Sequence, residues 1–301
     1  MNRTIVYEVT KEQTVFRFLQ KKGYSDQNLV DLRKDKQGIL VDGIPALQKQ
    51  VVRPGERLTV QLRETDCSTQ ILPVELPLDI VYEDEDFLVV NKPAGMPVHP
   101  SRNNVDNSLG NALMYYFLQQ QKPFVYRCIN RLDRDTSGLT IVAKHSVSAA
   151  ILGTMLAEKS AGKNTSMKKG YLAIVRGSVT PSSGTITAPI MRKEEYQPER
   201  VVDFTRGEAA VTHYRVVEEK NGYNLVALEL ETGRTHQIRV HMKYLGYPLI
   251  GDSLYNPDME RIQRQALHAA SLSFAHPITG KWMEFHAPMP EDMRAVFASS
   301  M

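Results

Sequence analysis

A chain of 301 residues, 42% hydrophobic and 24% charged, can bury a proper core and suits one large or two unequal domains. It has no apolar run near the roughly 18 residues of a membrane helix, no signal-peptide core in residues 1–8, and two cysteines, Cys67 and Cys128, without metal-ligand spacing. A cytoplasmic protein without membrane association or structural zinc is expected; its net charge of +3 sits within residues 1–66 (12 Lys/Arg against 9 Asp/Glu), so charge alone argues weakly for nucleic acid.

In chain order, Val15-Phe16-Arg17-Phe18-Leu19 predicts an amphipathic helix. Ser25 caps a second through Leu29, Val30 and Leu32, with Arg33, Lys34 and Lys36 on its other side. Gly38-Ile39-Leu40-Val41-Asp42-Gly43 predicts a strand ending in an Asp-Gly turn, and Pro54-Gly55 turns into a closing strand. Residues 1–66 therefore read as a small α/β domain. Residues 67–78 read as a polar linker punctuated by Pro73 and Pro77, and 79–301 as the main domain.

The main domain opens with strands at 80–83 and 87–90 around Asp84-Glu85-Asp86. The proline-rich loop 91–100 follows, with Lys92 and His99 read as bracing it. Residues 108–121 predict a helix, in which Tyr115-Tyr116-Phe117 reads as core. Next, Arg131 to Asp135 pack two carboxylates and two guanidinium groups before a Thr136-Ser137-Gly138 turn and the buried strand Leu139-Thr140-Ile141-Val142-Ala143. On charge pattern alone, a surface turn and a functional loop fit equally.

A helix is predicted at 147–159, a basic loop at 163–169, and a strand at 170–177 with Tyr171 at its start. Residues 178–210 read as irregular and 224–231 as the clearest strand. Thr232-Gly233-Arg234 follows, then a helix capped by Thr235 and stopped by Gly246. His236 and His241 lie five apart without an acidic partner and read as hydrogen-bonding residues, not a metal pair. A hairpin at 271–285 and a helix at 291–297 close the chain. Hairpins with interspersed helices predict an α+β fold with a mainly antiparallel sheet.

Several stretches together resemble the RluA-type RNA pseudouridine synthases. They are Asn91-Lys92-Pro93 with Val98-His99-Pro100, Arg131-Leu132-Asp133 with Thr136-Ser137-Gly138, and the run Thr232-Gly233-Arg234-Thr235-His236-Gln237-Ile238-Arg239-Val240-His241. Gly251-Asp252 with Tyr255, and Leu267-His268-Ala269 with His276-Pro277, extend the likeness over roughly residues 75–292. Asn130 stands where the family usually has His. The resemblance implies a bent, mixed sheet with flanking helices and a central cleft. It makes Asp133 the catalytic aspartate, puts Tyr171 in the pocket, and makes Arg234 the basic partner of Asp133. It implies an RNA contact at Arg131; local clustering of positive charge makes Arg134, Lys168 and Lys169 further candidate RNA contacts, although a plain ion pair with Asp135 is the favoured reading of Arg134. The N-terminal domain resembles the small RNA-binding fold of the ribosomal S-four type.

The implied reaction isomerises uridine in ribosomal or transfer RNA without redox change or group transfer. No cofactor and no metal are therefore expected, and a monomer is. What the chemistry needs is a carboxylate acting at the sugar or the uracil ring. A nearby arginine would hold that carboxylate charged and aimed. Two other readings compete. One is a non-catalytic RNA-binding relic, whose sign would be loss of Asp133, Tyr171 or Arg234. The other is a glycoside-cleaving enzyme using Asp133 and Asp135 as its acid/base pair.

Overall fold

The computed structural model describes residues 2–102, 104–160 and 167–298. The first part of the chain runs β1 (Asn2–Glu8), β2 (Gln13–Thr14), α1 (Val15–Lys21), α2 (Asp26–Lys34), β3 (Ile39–Val41), β4 (Ile44–Pro45), β5 (Val51–Val52) and β6 (Arg57–Arg63). Thr14 caps α1, and Ser25 with Asn28 closes a capping box on α2, so both expected helices form. Strand β1 is not among the elements expected from the sequence. It pairs with β6 along its whole length and buries Ile5 and Tyr7 on alternate positions. The sheet order is β1-β6-β3-β4.

The rest runs β7 (Ile80–Glu83), β8 (Phe87–Lys92), α3 (Leu109–Gln119), β9 (Arg127–Cys128), β10 (Ser137–Ala143) and α4 (Ser146–Ser160). Then come β11 (Met167–Arg176), β12 (Ser183–Thr187), β13 (Ile190–Arg192), β14 (Arg200–Val202), β15 (Val211–Lys220) and β16 (Tyr223–Leu230). The chain ends in α5 (Gln237–Tyr244), β17 (Leu267–Ala275), β18 (Trp282–His286) and α6 (Glu291–Ala298). The large sheet has the order β12-β15-β16-β11-β17-β10-β8-β7, with β9 on β10 and β18 on β17. Its pairs are antiparallel except β10 with β17. This is the expected α+β fold with a mixed, mainly antiparallel sheet.

The centre of the sheet is covered on both faces. Leu88 and Val90 of β8 join one core cluster, whereas Phe87 and Val89 join another. That explains why β8 and β10 read as continuous apolar runs rather than alternating ones. The smaller sheet packs its core onto Val147 and Ile151 of α4.

Three local expectations are corrected. Lys168 and Lys169 lie in β11, not in a loop; residues 163–166 of that expected loop fall outside the described residues. The 178–210 stretch contains three short strands, β12, β13 and β14. Helix α5 is capped by His236, not Thr235. Residues 64–79 hold no strand or helix, and Ile71, Leu76 and Leu78 among them pack against the main core.

Candidate active site

The loop from Asn130 to Gly138 is fastened at many points. Buried Asn130 donates to the Leu139 carbonyl and accepts from the Ile141 N–H, stitching the loop to β10. Gly138 has φ +112°, and a Cβ there would lie 2.3 Å from the Ala269 carbonyl oxygen. Only glycine permits the parallel bridge to β17 at this point. Lys92 is fully buried, and its Nζ donates to the carbonyls of Pro93, Met96 and Arg134 at 2.8, 2.7 and 3.0 Å. Burial brings its pKa down to about 7, opposed by Asp135 and Asp133. Lys92 thus braces the loop from beneath. Arg264 does so from the side through the Asp135 carbonyl.

Asp133, so held, lines a cavity of about 240 Å³ together with Arg131, Tyr171, His236 and Arg239. Its Oδ2 accepts from Arg239 Nη1 at 3.0 Å. The remaining guanidinium edge of Arg239 makes a bidentate pair with fully buried Asp252, 2.7 Å in both bonds. Burial opposes the arginine's charge, but Asp252 and Asp133 outweigh it and raise its pKa. The expected partner of Asp133 is therefore corrected from Arg234 to Arg239.

Arg234 lines the cavity but turns away, onto Glu208 at 2.6 Å and the Ala209 carbonyl. The cause lies in the turn. Gln237 Oε1 accepts both the Thr232 hydroxyl and the Arg234 N–H, while its amide donates to the Val211 carbonyl and Thr212. This locks the backbone with Arg234 outward and starts α5 at Gln237. Residues 237–242 of α5 are all buried, so Arg239 is an arginine that water cannot solvate. That requirement was the missed signal: a buried arginine needs carboxylates, and Asp252 follows 13 residues later.

Tyr171 is buried in β11 and forms part of the cavity wall. Burial, then the Asp133 charge, raises its pKa, so its hydroxyl stays protonated at neutral pH. Arg131 is exposed at the rim. Arg134 is exposed and pairs with Asp135 through two bonds of 3.0 and 2.9 Å. Lys169 is buried and lines the cavity, whereas Lys168 points to solvent from the same strand. His241 bonds Thr212 and the Ala188 carbonyl, separate from the partners of His236.

The family model described as RNA pseudouridylate synthase matches residues 86–244, which include Asp133, Tyr171 and Arg239. The uncharacterized RNA pseudouridine synthase YjbO of Bacillus subtilis (strain 168) is 41% identical over 280 residues, covering 93% of this chain and 96% of its own. The ribosomal large subunit pseudouridine synthase D of Zymomonas mobilis is 40% identical over 268 residues, covering 80% of this chain and 81% of its own. Among solved structures, human RNA pseudouridylate synthase domain containing 1 superposes with a TM-score of 0.58 at 30% identity, over 70% of this chain and 83% of its own. This chain therefore belongs to the RNA pseudouridine synthase family, in its RluA-type branch, and is an enzyme that isomerises uridine in RNA to pseudouridine.

Proposed function

We propose that this synthase acts on specific uridines of structured ribosomal or transfer RNA, with Asp133 as the catalytic carboxylate on a flipped-out base. One observation carries the reading. Both side-chain contacts of Asp133 fall on Oδ2, and Oδ1 has no partner among the described residues. A carboxylate held by one oxygen and open at the other is suited to act at the ribose or the uracil ring. The isomerisation breaks the bond from N1 of uracil to C1′ and makes a bond from C5 to C1′. The C5 proton leaves and N1 ends up protonated, so nothing is oxidised or transferred away. Arg239 holds the carboxylate by Oδ2 and aims it. Tyr171 offers an aromatic face for the base and a protonated hydroxyl beside it.

Extruding a uridine from a helix costs a few kcal/mol. Exposed Arg131 fills the gap and exposed Lys168 holds backbone phosphate, whereas Lys169 faces the flipped nucleotide from the cavity wall. The N-terminal domain, with Arg33 and Lys34 of α2 and Lys36 just beyond it exposed, supplies further RNA affinity. The relatives named for the large ribosomal subunit favour ribosomal RNA as the substrate.

The test is pseudouridine mapping in total RNA from cells carrying the wild-type gene, no gene, or Asp133→Asn. Sites present with the wild type and lost in both other strains support the reading. Full modification by Asp133→Asn would overturn the assignment of Asp133.

A further inference from the structure

His236 has a backbone that its sequence position does not explain. It caps α5 with φ +57° and ψ +19°, a left-handed conformation uncommon for a residue with a side chain. A helix cap ordinarily lends its side chain to the free N–H groups of the first turn. His236 makes no such bond. Its ring turns the other way, into the cavity. There Nε2 stands 3.8 Å from Asp133 Oδ2, and Nδ1 stands 2.9 Å from the Tyr255 hydroxyl. A strained residue whose ring faces the reactive carboxylate is where a functional reason should be sought.

The hydrogen-bond network assigns the proton. The Tyr255 oxygen already accepts the backbone N–H of Arg200 at 2.7 Å. Tyr255 is buried, and its own hydroxyl proton needs an acceptor, which is His236 Nδ1. The imidazole proton then sits on Nε2, directed at Asp133. The charged groups facing the ring are Asp133 from the signature loop, Arg239 on α5, Arg200 on β14 and Asp252 before Tyr255. Burial lowers the pKa of His236, Asp133 and Asp252 oppose the shift, and the two arginines add to it, so the ring is neutral at neutral pH.

We propose that His236 is a positioning residue for Asp133. Its Nε2–H, oriented by Tyr255 and the Arg200 backbone, closes onto Oδ2 when uridine enters. With Arg239 it then fixes one carboxylate oxygen and leaves Oδ1 as the oxygen that reacts. Hydrogen bonds of this kind are commonly long in an empty site and tighten with substrate. The inference rests on Asp133 being the catalytic carboxylate.

The experiment is kinetics on an RNA substrate with wild type, His236→Ala, His236→Gln, Tyr255→Phe, the His236→Ala/Tyr255→Phe double variant and Asp133→Asn, each checked for folding by thermal unfolding. His236→Ala should lower kcat about 10²-fold, the order of one lost preorganised donor, with KM little changed. His236→Gln, whose amide can present an N–H near the same place, should recover most of the loss. Tyr255→Phe should lower kcat less, and should add nothing to His236→Ala. The proposal is overturned if folded His236→Ala keeps kcat within about twofold, if Gln is no better than Ala, or if the Tyr255 effect adds in full. Should His236→Ala fail to fold, the Gln and Phe variants decide. Activity in Asp133→Asn would sink the underlying reading instead, whereas an inactive Asp133→Asn beside an active His236→Ala sinks only this one.

Discussion

Two clusters in this protein are built from the same parts. In the cleft, Asp133 and Asp252 flank Arg239, with His236 beside them. Where the two sheets meet, Asp86 and Asp84 sit with Arg3, His145 and His276. The junction cluster is closed. Arg3 reaches across from β1 to both oxygens of Asp86, at 2.9 and 3.1 Å, and His145 adds a third contact. Asp84 accepts two backbone N–H groups on one oxygen, and Tyr82 and His276 sit on the other. The side chain of Asp86 is 3% exposed and that of Asp133 30%. Asp84, Asp86 and His276 are close enough to pass for metal ligands, but the positive charge there is the guanidinium of Arg3. Residue types therefore do not distinguish a site from a clasp; an unclaimed carboxylate oxygen does.

The largest expected effects come from exchanging the two aspartates' fates. Asp133→Asn should cost on the order of 10⁴-fold or more in kcat and shift unfolding by no more than about 0.5 kcal/mol. Asp86→Asn should do the reverse. It removes the charged acceptor that Arg3 and His145 share at a nearly sealed position and leaves Arg3 only exposed Glu85, costing about 3 kcal/mol, with kcat little changed below the melting temperature. Denaturant unfolding and kinetics on the same preparations check the pair. A large activity loss in folded Asp86→Asn would mean the junction is part of the machinery.

Next in size is the arginine comparison. Arg239→Met leaves Asp252 buried without its cation and Asp133 without its anchor, so stability and kcat should both fall, the latter at least about 10²-fold. Arg234→Ala breaks only an exposed pair with Glu208 and a bond to the Ala209 carbonyl, and its stability cost should stay within about 1 kcal/mol. Equal losses in the two variants would restore Arg234 to the chemistry.

The misplacement of that arginine shows where sequence reading stops. The loop from Asn130 to Gly138 was legible because its charge density, its turn and its glycine are local properties. The caps of α1 and α2 were local too. Arg234 and Arg239 lie within one motif, and choosing between them requires knowing which way the Thr232–Gln237 turn faces. That is set by Val211 and Thr212 on a neighbouring strand. The strand itself, β15, went unread because only Thr212 and Tyr214 of its ten residues are buried and its last four are exposed. The Arg3–Asp86 clasp joins residues 83 apart in sequence. Nothing local to either residue points to the other.

Acid should separate the groups in order of pKa. Burial lowers His236, His241, His268 and His99 below 6.5, with Arg131 adding to the shift at His99. The unfolded chain binds those protons first, so stability falls as pH drops below about 6.5. For Asp86, burial alone would raise the pKa; His145 and Arg3 override it and bring it down to about 2 from 3.8. That contribution, about 2 kcal/mol, is complete above pH 3.8 and lost as pH falls toward about 2. Glu64 and Asp84 are lowered as well and act in the same sense. Urea unfolding from pH 8 to pH 2 should show a shallow first decline and a steeper second one, with only the second blunted in Asp86→Asn.

The smallest effect concerns Arg134, whose pair with Asp135 is the exposed counterpart of both clusters. Exposed pairs of this kind contribute about 0–1 kcal/mol, so Arg134→Ala should barely move the unfolding midpoint. A guanidinium that is 59% exposed beside the cleft can leave Asp135 for a phosphate at little cost. If it does, Arg134→Ala should weaken RNA binding and reduce the slope of log K against log salt by about one, with kcat at saturating RNA unchanged. An unaltered salt slope would return Arg134 to scaffolding. A fall in kcat with the slope intact would mean that the pair aims the Asp133 loop itself. The three outcomes differ in which quantity moves, so titrating RNA binding at several salt concentrations, alongside kcat, separates them.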